Sequence, residues 1–144
     1  MNLFGVLDIS ASALMAERQR AEVVTSNLAN AQSAGANPSQ VYRRQEVVFQ
    51  AEPMGGFANA LASAGAPGPE GVAVTNVVTD TSPLIKRYDP GNVNADAQGY
   101  VHYPNVNPTQ EITDLMEAVR SYQLNISAAQ ATKSMIQQTL TLLK

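Results

Sequence analysis

The stretch Ile112–Leu143, ITDLMEAVRSYQLNISAAQATKSMIQQTLTLL, decides the fold. Ile112, Leu115, Val119, Tyr122, Ile126, Ala129, Lys133, Ile136, Leu140 and Leu143 alternate spacings of three and four without a break. Such a seam belongs to a helix that lies along another helix. Lys133 is its only charge. Just upstream, Asn107-Pro108-Thr109-Gln110 predicts the start of the helix. Asn serves as N-cap, proline takes the first helical position, and glutamine follows three residues after the cap. Glu111, Asp114 and Glu117 then place negative charge where a helix N-terminus favours it. A helix over Pro108–Lys144 would run about 55 Å at 1.5 Å per residue. That is long for 144 residues, and it suits an assembly part better than a compact enzyme.

The N-terminal end supplies a second stripe. Leu7, Leu14, Ala21 and Leu28 recur every seven residues. Phe4 and Ala11 fill the interleaved column, which turns polar at Arg18 and Thr25, and Val24 adds a flanking apolar contact. Small residues on this face allow close approach of a neighbouring backbone. Gly35 and Pro38 end the pattern, and Asn30 is placed near the helix C-terminus. The two ends of the chain therefore read as long helices that can pair. A heptad does not say whose helix the partner is, so a hairpin closed within one chain and a seam shared between chains both fit.

The material between them differs. All eight prolines lie between Pro38 and Pro108, and eight of the nine glycines between Gly35 and Gly99. No long helix survives that density of breakers. Val41–Gln50 and Gly71–Asp80 read as strands, with shorter ones at Ile85–Tyr88 and Tyr100–Tyr103. Ser82-Pro83, Asp89-Pro90-Gly91-Asn92 and Gln98-Gly99 supply turns. Pro53–Pro69 contains no charged residue, is rich in Ala and Gly, and reads as a mobile loop. The expected fold class is α+β: long N- and C-terminal helices pairing in a coiled-coil-like layer, with a small irregular β-rich centre. The expected division is 1–34, 35–107 and 108–144.

Composition excludes several functions. Net charge is −3, and the basic pairs Arg43-Arg44 and Lys86-Arg87 form no larger cluster. The electrostatic footprint of a nucleic-acid binder is missing. There is no cysteine, so no disulfide, thiolate nucleophile or ordinary zinc site is expected. No run of about 20 apolar residues predicts a membrane span. The first residues lack a positive segment, and Asp8 interrupts Leu3–Ile9, so a cleaved secretory signal is not expected.

No catalytic constellation emerges. His102 is the sole histidine, in a strand between Val101 and Tyr103, and is expected to be partly exposed. Asp80, Asp89 and Asp96 sit in turn-rich segments where carboxylates usually satisfy local backbone donors. An enzyme would require these four to converge in a pocket. Ser26 lacks the G-x-S-x-G context, and Gly55-Gly56 is followed by no Gly-Lys-Ser/Thr. No enzyme, cofactor or metal is expected.

Several segments do resemble a known family. Thr25-Ser26-Asn27-Leu28-Ala29-Asn30 is similar to the signature near the N-terminus of bacterial flagellar rod and hook proteins. Ser82-Pro83, Tyr88-Asp89-Pro90-Gly91, Ala95-Asp96, Gly99-Tyr100-Val101 and Pro104-Asn105-Val106-Asn107 resemble the block typical of the FlgC family of proximal-rod proteins. Arg120-Ser121-Tyr122-Gln123-Leu124-Asn125 resembles a segment of that family's C-terminal helix. The chain departs from the pattern at Asn92-Val93, where a proline is usual.

The resemblance implies a structural rod subunit with no enzymatic activity. It implies passage, unfolded and uncleaved, through the flagellar export apparatus, and assembly across the periplasm above the membrane-ring base. Partners would be other copies of itself and other rod proteins. Terminal helices would form the inner layer. The alternatives are another axial protein of the flagellum or a secreted helical effector. Expected interface residues are Leu7, Leu14, Ala21, Asn27, Leu28 and Asn30 on the first helix. On the second they are Ile112, Leu115, Val119, Tyr122, Gln123, Asn125, Ile126, Ile136, Leu140 and Leu143. Asn27 and Asn30 stand one turn apart, and a buried amide penalises a wrong register by going unpaired. They are expected to set how the first helix docks on a neighbour, with both chain ends weakly ordered until assembly buries them.

Overall fold

A computed structural model describes residues 3–53 and 70–142. The loop expected over 53–69 lies, apart from Pro53, outside the described residues, as does Leu143. The order of elements is α1 (Leu3–Asn30), β1 (Gln45–Pro53), β2 (Glu70–Thr79), β3 (Ile85–Tyr88), β4 (Tyr100–Tyr103) and α2 (Pro108–Leu142). Two long terminal helices pack together, and the strands between them are short, so the α+β expectation holds.

Helix α2 begins where its capping chemistry places it. The Asn107 Oδ1 accepts a hydrogen bond from the Thr109 N–H at 3.1 Å. The Glu111 N–H donates to the Asn107 carbonyl at 3.0 Å and opens the helical ladder. Helix α1 ends at Asn30, whose carbonyl takes the Ser33 N–H at 3.0 Å and the Ser33 hydroxyl at 2.8 Å.

The strands form two separate pairs, β1 with β2 and β3 with β4. β3 and β4 are antiparallel, with Ile85 opposite Tyr103 and Tyr88 opposite Tyr100. Tyr88 and Tyr100 meet edge to face, ring centres 5.4 Å apart, and the Arg87 guanidinium lies 5.2 Å from the Tyr103 ring centre. The turn joining β3 to β4 depends on Gly99 at φ +82°; a Cβ there would meet Tyr88 Cε2 at 3.0 Å. β1 starts at Gln45 rather than Val41. Residues 41–44 are drawn away from sheet pairing: Val41 is buried, and the Arg44 N–H donates to Asn105 Oδ1 at 3.1 Å.

Contacts divide the described residues into two units, one from 3–19, 48–53, 70–76 and 117–142, the other from 20–47 and 77–116. In the first, the buried positions include Ser10, Ala16, Ala118 and Thr132. Small side chains at such positions let helix axes come close. The two buried hydroxyls are satisfied locally, Ser10 by the Val6 carbonyl and Thr132 by the Ala128 carbonyl, each at 2.9 Å. Ser12 reaches β2, accepting the Val72 N–H at 3.1 Å.

In the second unit Val24, Val41, Val101, Val106, Pro104, Asn27 and Glu111 are buried. His102 belongs with them. It is 5% exposed, not the partly exposed strand residue expected from its alternating neighbours. Backbone bonds explain the correction: the Gly35 N–H donates to the His102 carbonyl at 3.1 Å, and the His102 N–H returns to Gly35 at 3.3 Å. The segment after α1 thereby closes over β4. It can do so because residue 35 is glycine, since a Cβ would stand 3.1 Å from Val41 Cγ2.

Candidate functional site

The second unit is organised around one amide. Asn27 is 0% exposed, and all of its hydrogen-bonding capacity is used within the chain. Its Nδ2 donates to the Gln45 carbonyl at 2.8 Å and to Glu111 Oε2 at 2.9 Å. Its Oδ1 accepts the Gln45 N–H at 2.9 Å and the Tyr42 hydroxyl at 2.8 Å. An asparagine has two donors and one acceptor oxygen with two lone pairs, and here each is matched. One side chain of α1 thus grips the first residue of β1 like a neighbouring strand while holding the first turn of α2.

Glu111 is likewise 0% exposed. A carboxylate in that position needs paired charge and hydrogen bonds. Arg44 supplies both, its Nε donating to Glu111 Oε1 at 2.5 Å. The same guanidinium reaches Glu46 through Nη1 and Asp114 through Nη2, the latter at 3.2 Å. Burial alone would lower the affinity of Arg44 for its proton. The hydrogen bond and charge of Glu111, with the charges of Glu46 and Asp114, outweigh that and raise it. Arg44 therefore stays cationic, and Glu111 keeps its counter-charge.

The turns around this hub carry their own carboxylates. Asp80 is held below the usual carboxylate range of about 3.8, first by the Ser82 hydroxyl and then by the Ser82 N–H at 2.8 Å. Asp96 Oδ1 accepts from the Gln98 and Tyr100 N–H groups at 2.9 and 2.8 Å. Asp89 Oδ2 accepts from Asn92 Nδ2 at 3.3 Å. His102 Nε2 lies 3.9 Å from Asp96 Oδ2, beyond a hydrogen bond. These groups are spent on local geometry, as the sequence predicts for the aspartates. Among the described residues no group of three or more His, Asp or Glu is placed to hold a metal ion. Among them, too, no helix is long and apolar enough to cross a membrane.

The helix seams show a second pattern. On α2 the enclosed column is Glu111, Ala118 and Thr132, with half-buried Asn125 between them. The apolar column read from the sequence, Ile112, Val119, Ile126, Lys133 and Leu140, lies one residue on. One residue is about 100° around a helix. Ala118 is 1% exposed and its neighbour Val119 45%; Ile112 is 47% and Leu140 60% exposed. Ile126 is half-buried. The companion column grades inward, with Leu115, Ala129 and Ile136 half-buried and Tyr122 exposed. Gln123 is exposed, and Asn125 turns its Nδ2 back to the Ser121 carbonyl at 3.0 Å. On α1, Leu7, Leu14, Ala21 and Leu28 are all half-buried. Asn30 is too, and its Nδ2 donates to the Ser26 carbonyl at 2.8 Å.

Sequence reading singled out Asn27 but not its partners. Glu111 was visible only as an acid in a first helical turn, and Arg44 only as half of a basic pair. The available signal was the position of Glu111, seven before Ala118, on the column beside the apolar seam.

Comparison with known proteins locates the same parts. Residues 7–36 match the family described as flagella basal body rod protein. Residues 97–142 match the flagellar basal body rod FlgEFG protein C-terminal family. Asn27 lies in the first match, Asn105 and Glu111 in the second. Over 142 residues the chain is 42% identical to the flagellar basal-body rod protein FlgC of Escherichia coli, covering 99% of this chain and 98% of that one. The chain belongs to the FlgC family. The FlgC of Bacillus subtilis is 40% identical over 146 residues, covering 97% of each chain. That of Borreliella burgdorferi is 31% identical over 153 residues, covering all of this chain and 99% of its own. The family is one of structural rod proteins, not an enzyme family. Members are proteins of the flagellar basal-body rod, the location expected from the sequence.

Proposed function

We infer that this chain is a structural subunit of the flagellar basal-body rod, and that its outward apolar column on α2 is where a neighbouring rod subunit packs. One observation carries the reading: the strongest apolar heptad of the chain is not the one its own helices enclose. Ile112, Val119 and Leu140 stay substantially exposed while Ala118 beside them is covered. Fully burying such a side chain is worth roughly 1.5–3 kcal/mol, which a free chain leaves uncollected. Tyr122 and Ile126 extend the same surface. Leu7, Leu14 and Leu28, half-buried on α1, add a flanking edge.

Transport follows from the same energetics. A helix that leaves its apolar face in water is marginal alone. Such a chain can be threaded unfolded through an export channel, cross into the periplasm and gain its full stability on docking to rod neighbours. Many shallow contacts in parallel then carry torque.

Val119→Asp tests the reading. Placed on an exposed position, it should change monomer stability by less than about 0.5 kcal/mol. It should nevertheless remove the chain from isolated basal bodies and abolish swimming. Wild-type incorporation of this variant would refute the interface.

A further inference from the structure

The outward column of α2 contains one residue that does not fit an apolar contact. Lys133 stands seven after Ile126 and seven before Leu140. It is exposed, and no hydrogen bond or ion pair occupies its ammonium among the described residues. A single lysine in an otherwise apolar heptad column weakens the contact yet selects one register, because every other register buries the charge unpaired. The column therefore carries its own alignment mark.

An acceptor of matching charge is present on the chain. The Arg44 guanidinium is shared by Glu46, Glu111 and Asp114, three carboxylates against one cation. Glu111 is enclosed, but the side chains of Glu46 and Asp114 are 56% and 25% exposed. The excess negative charge faces solvent through those two.

We propose that Lys133 sets the register between copies of this chain, its ammonium seating on the Asp114 and Glu46 carboxylates of a second copy while Ile126 and Leu140 cover apolar surface beside it. The proposal rests on the rod-subunit reading and names the mutual contact within it. Lys133 and Asp114 lie on one helix, 19 residues and so about 28 Å apart. The contact thus joins two different patches, with each copy displaced along the helix direction from the last. A head-to-tail contact of that kind leaves an unmatched Lys133 at one end and the uncovered Arg44-bound carboxylates of Asp114 and Glu46 at the other, and it propagates instead of closing as a dimer.

The experiment is zero-length carbodiimide coupling of basal bodies isolated from cells making the full chain, followed by peptide mass mapping. The expected product is an amide between Lys133 and Asp114. Their separation along α2 forbids that bond within one chain, so it reports two copies. Lys133→Arg should preserve assembly. Lys133→Met should keep the helix content of the free chain, raise misaligned high-mass species and lower incorporation into the rod. Basal bodies that contain the chain but show Lys133 joined only to other carboxylates, or to none, overturn the proposal. So does Lys133→Met that assembles as wild type. Absence of the chain from the basal body would instead sink the rod-subunit reading itself, and this contact with it.

Discussion

Asn27 shows how much one side chain can decide. Its amide holds α1, β1 and α2 in one register, and every bond it makes is to this chain. Asn27→Leu would strand the Gln45 N–H, the Tyr42 hydroxyl and one oxygen of Glu111 in a dry site. An unpaired buried polar group costs about 1–3 kcal/mol, so a loss of roughly 3–5 kcal/mol in urea unfolding is expected. A loss below 1 kcal/mol, on the order of one ordinary hydrogen bond, would mean that water replaces the amide. The sequence marks Asn27 as a register residue, and the bonds show the register it sets inside the chain. Asp80 offers a smaller check. Its folded affinity for protons is depressed, so whatever it adds to stability is present above its ordinary value of 3.8 and is lost as pH falls through the lower folded value. Ser82→Ala removes the largest cause and should move the Asp80 titration back up, as read by carboxyl chemical shifts.

At the scale of an element, α2 has two heptads one residue apart, and they do different work. The inner one, Glu111, Ala118, Asn125 and Thr132, is polar or small, while the outer one is apolar. A search for hydrophobic period finds the outer one, because Ile, Val and Leu dominate any such count. The inner one is legible only once Glu111 is known to have partners. The two columns predict opposite responses from adjacent residues. Ala118→Leu overpacks an enclosed site and should cost about 1–3 kcal/mol of monomer stability. Val119→Asp should leave stability alone and stop assembly. Equal monomer effects of both changes would show that the helix is not oriented as described. The start of α2 was readable in full, since a cap is a local bond between Asn107 and Thr109.

Across the whole molecule, order should follow the hub more than the chain ends. Amides of 24–31 and 101–111 surround Asn27 and Glu111, and hydrogen exchange in the free chain should be slow there. Exchange should be fast at 133–142, where the described α2 residues other than Ile136 are exposed. Uniformly fast exchange over all three stretches would mean that the hub does not form before assembly. From its letters alone the chain specified two long helices, their caps, a strand-and-turn centre broken by proline and glycine, and its family. The structural features among these rest on interactions between residues close in sequence. Only the folded chain decided which side of α2 faces inward, that β1 begins at Gln45, and that His102 is covered by Gly35. The partners responsible are remote: Asn27 and Glu111 meet across 84 positions, Arg44 and Glu111 across 67. A buried carboxylate outranks a valine for the inner position when its counter-charge and donors arrive there together, and no local period records that arrival.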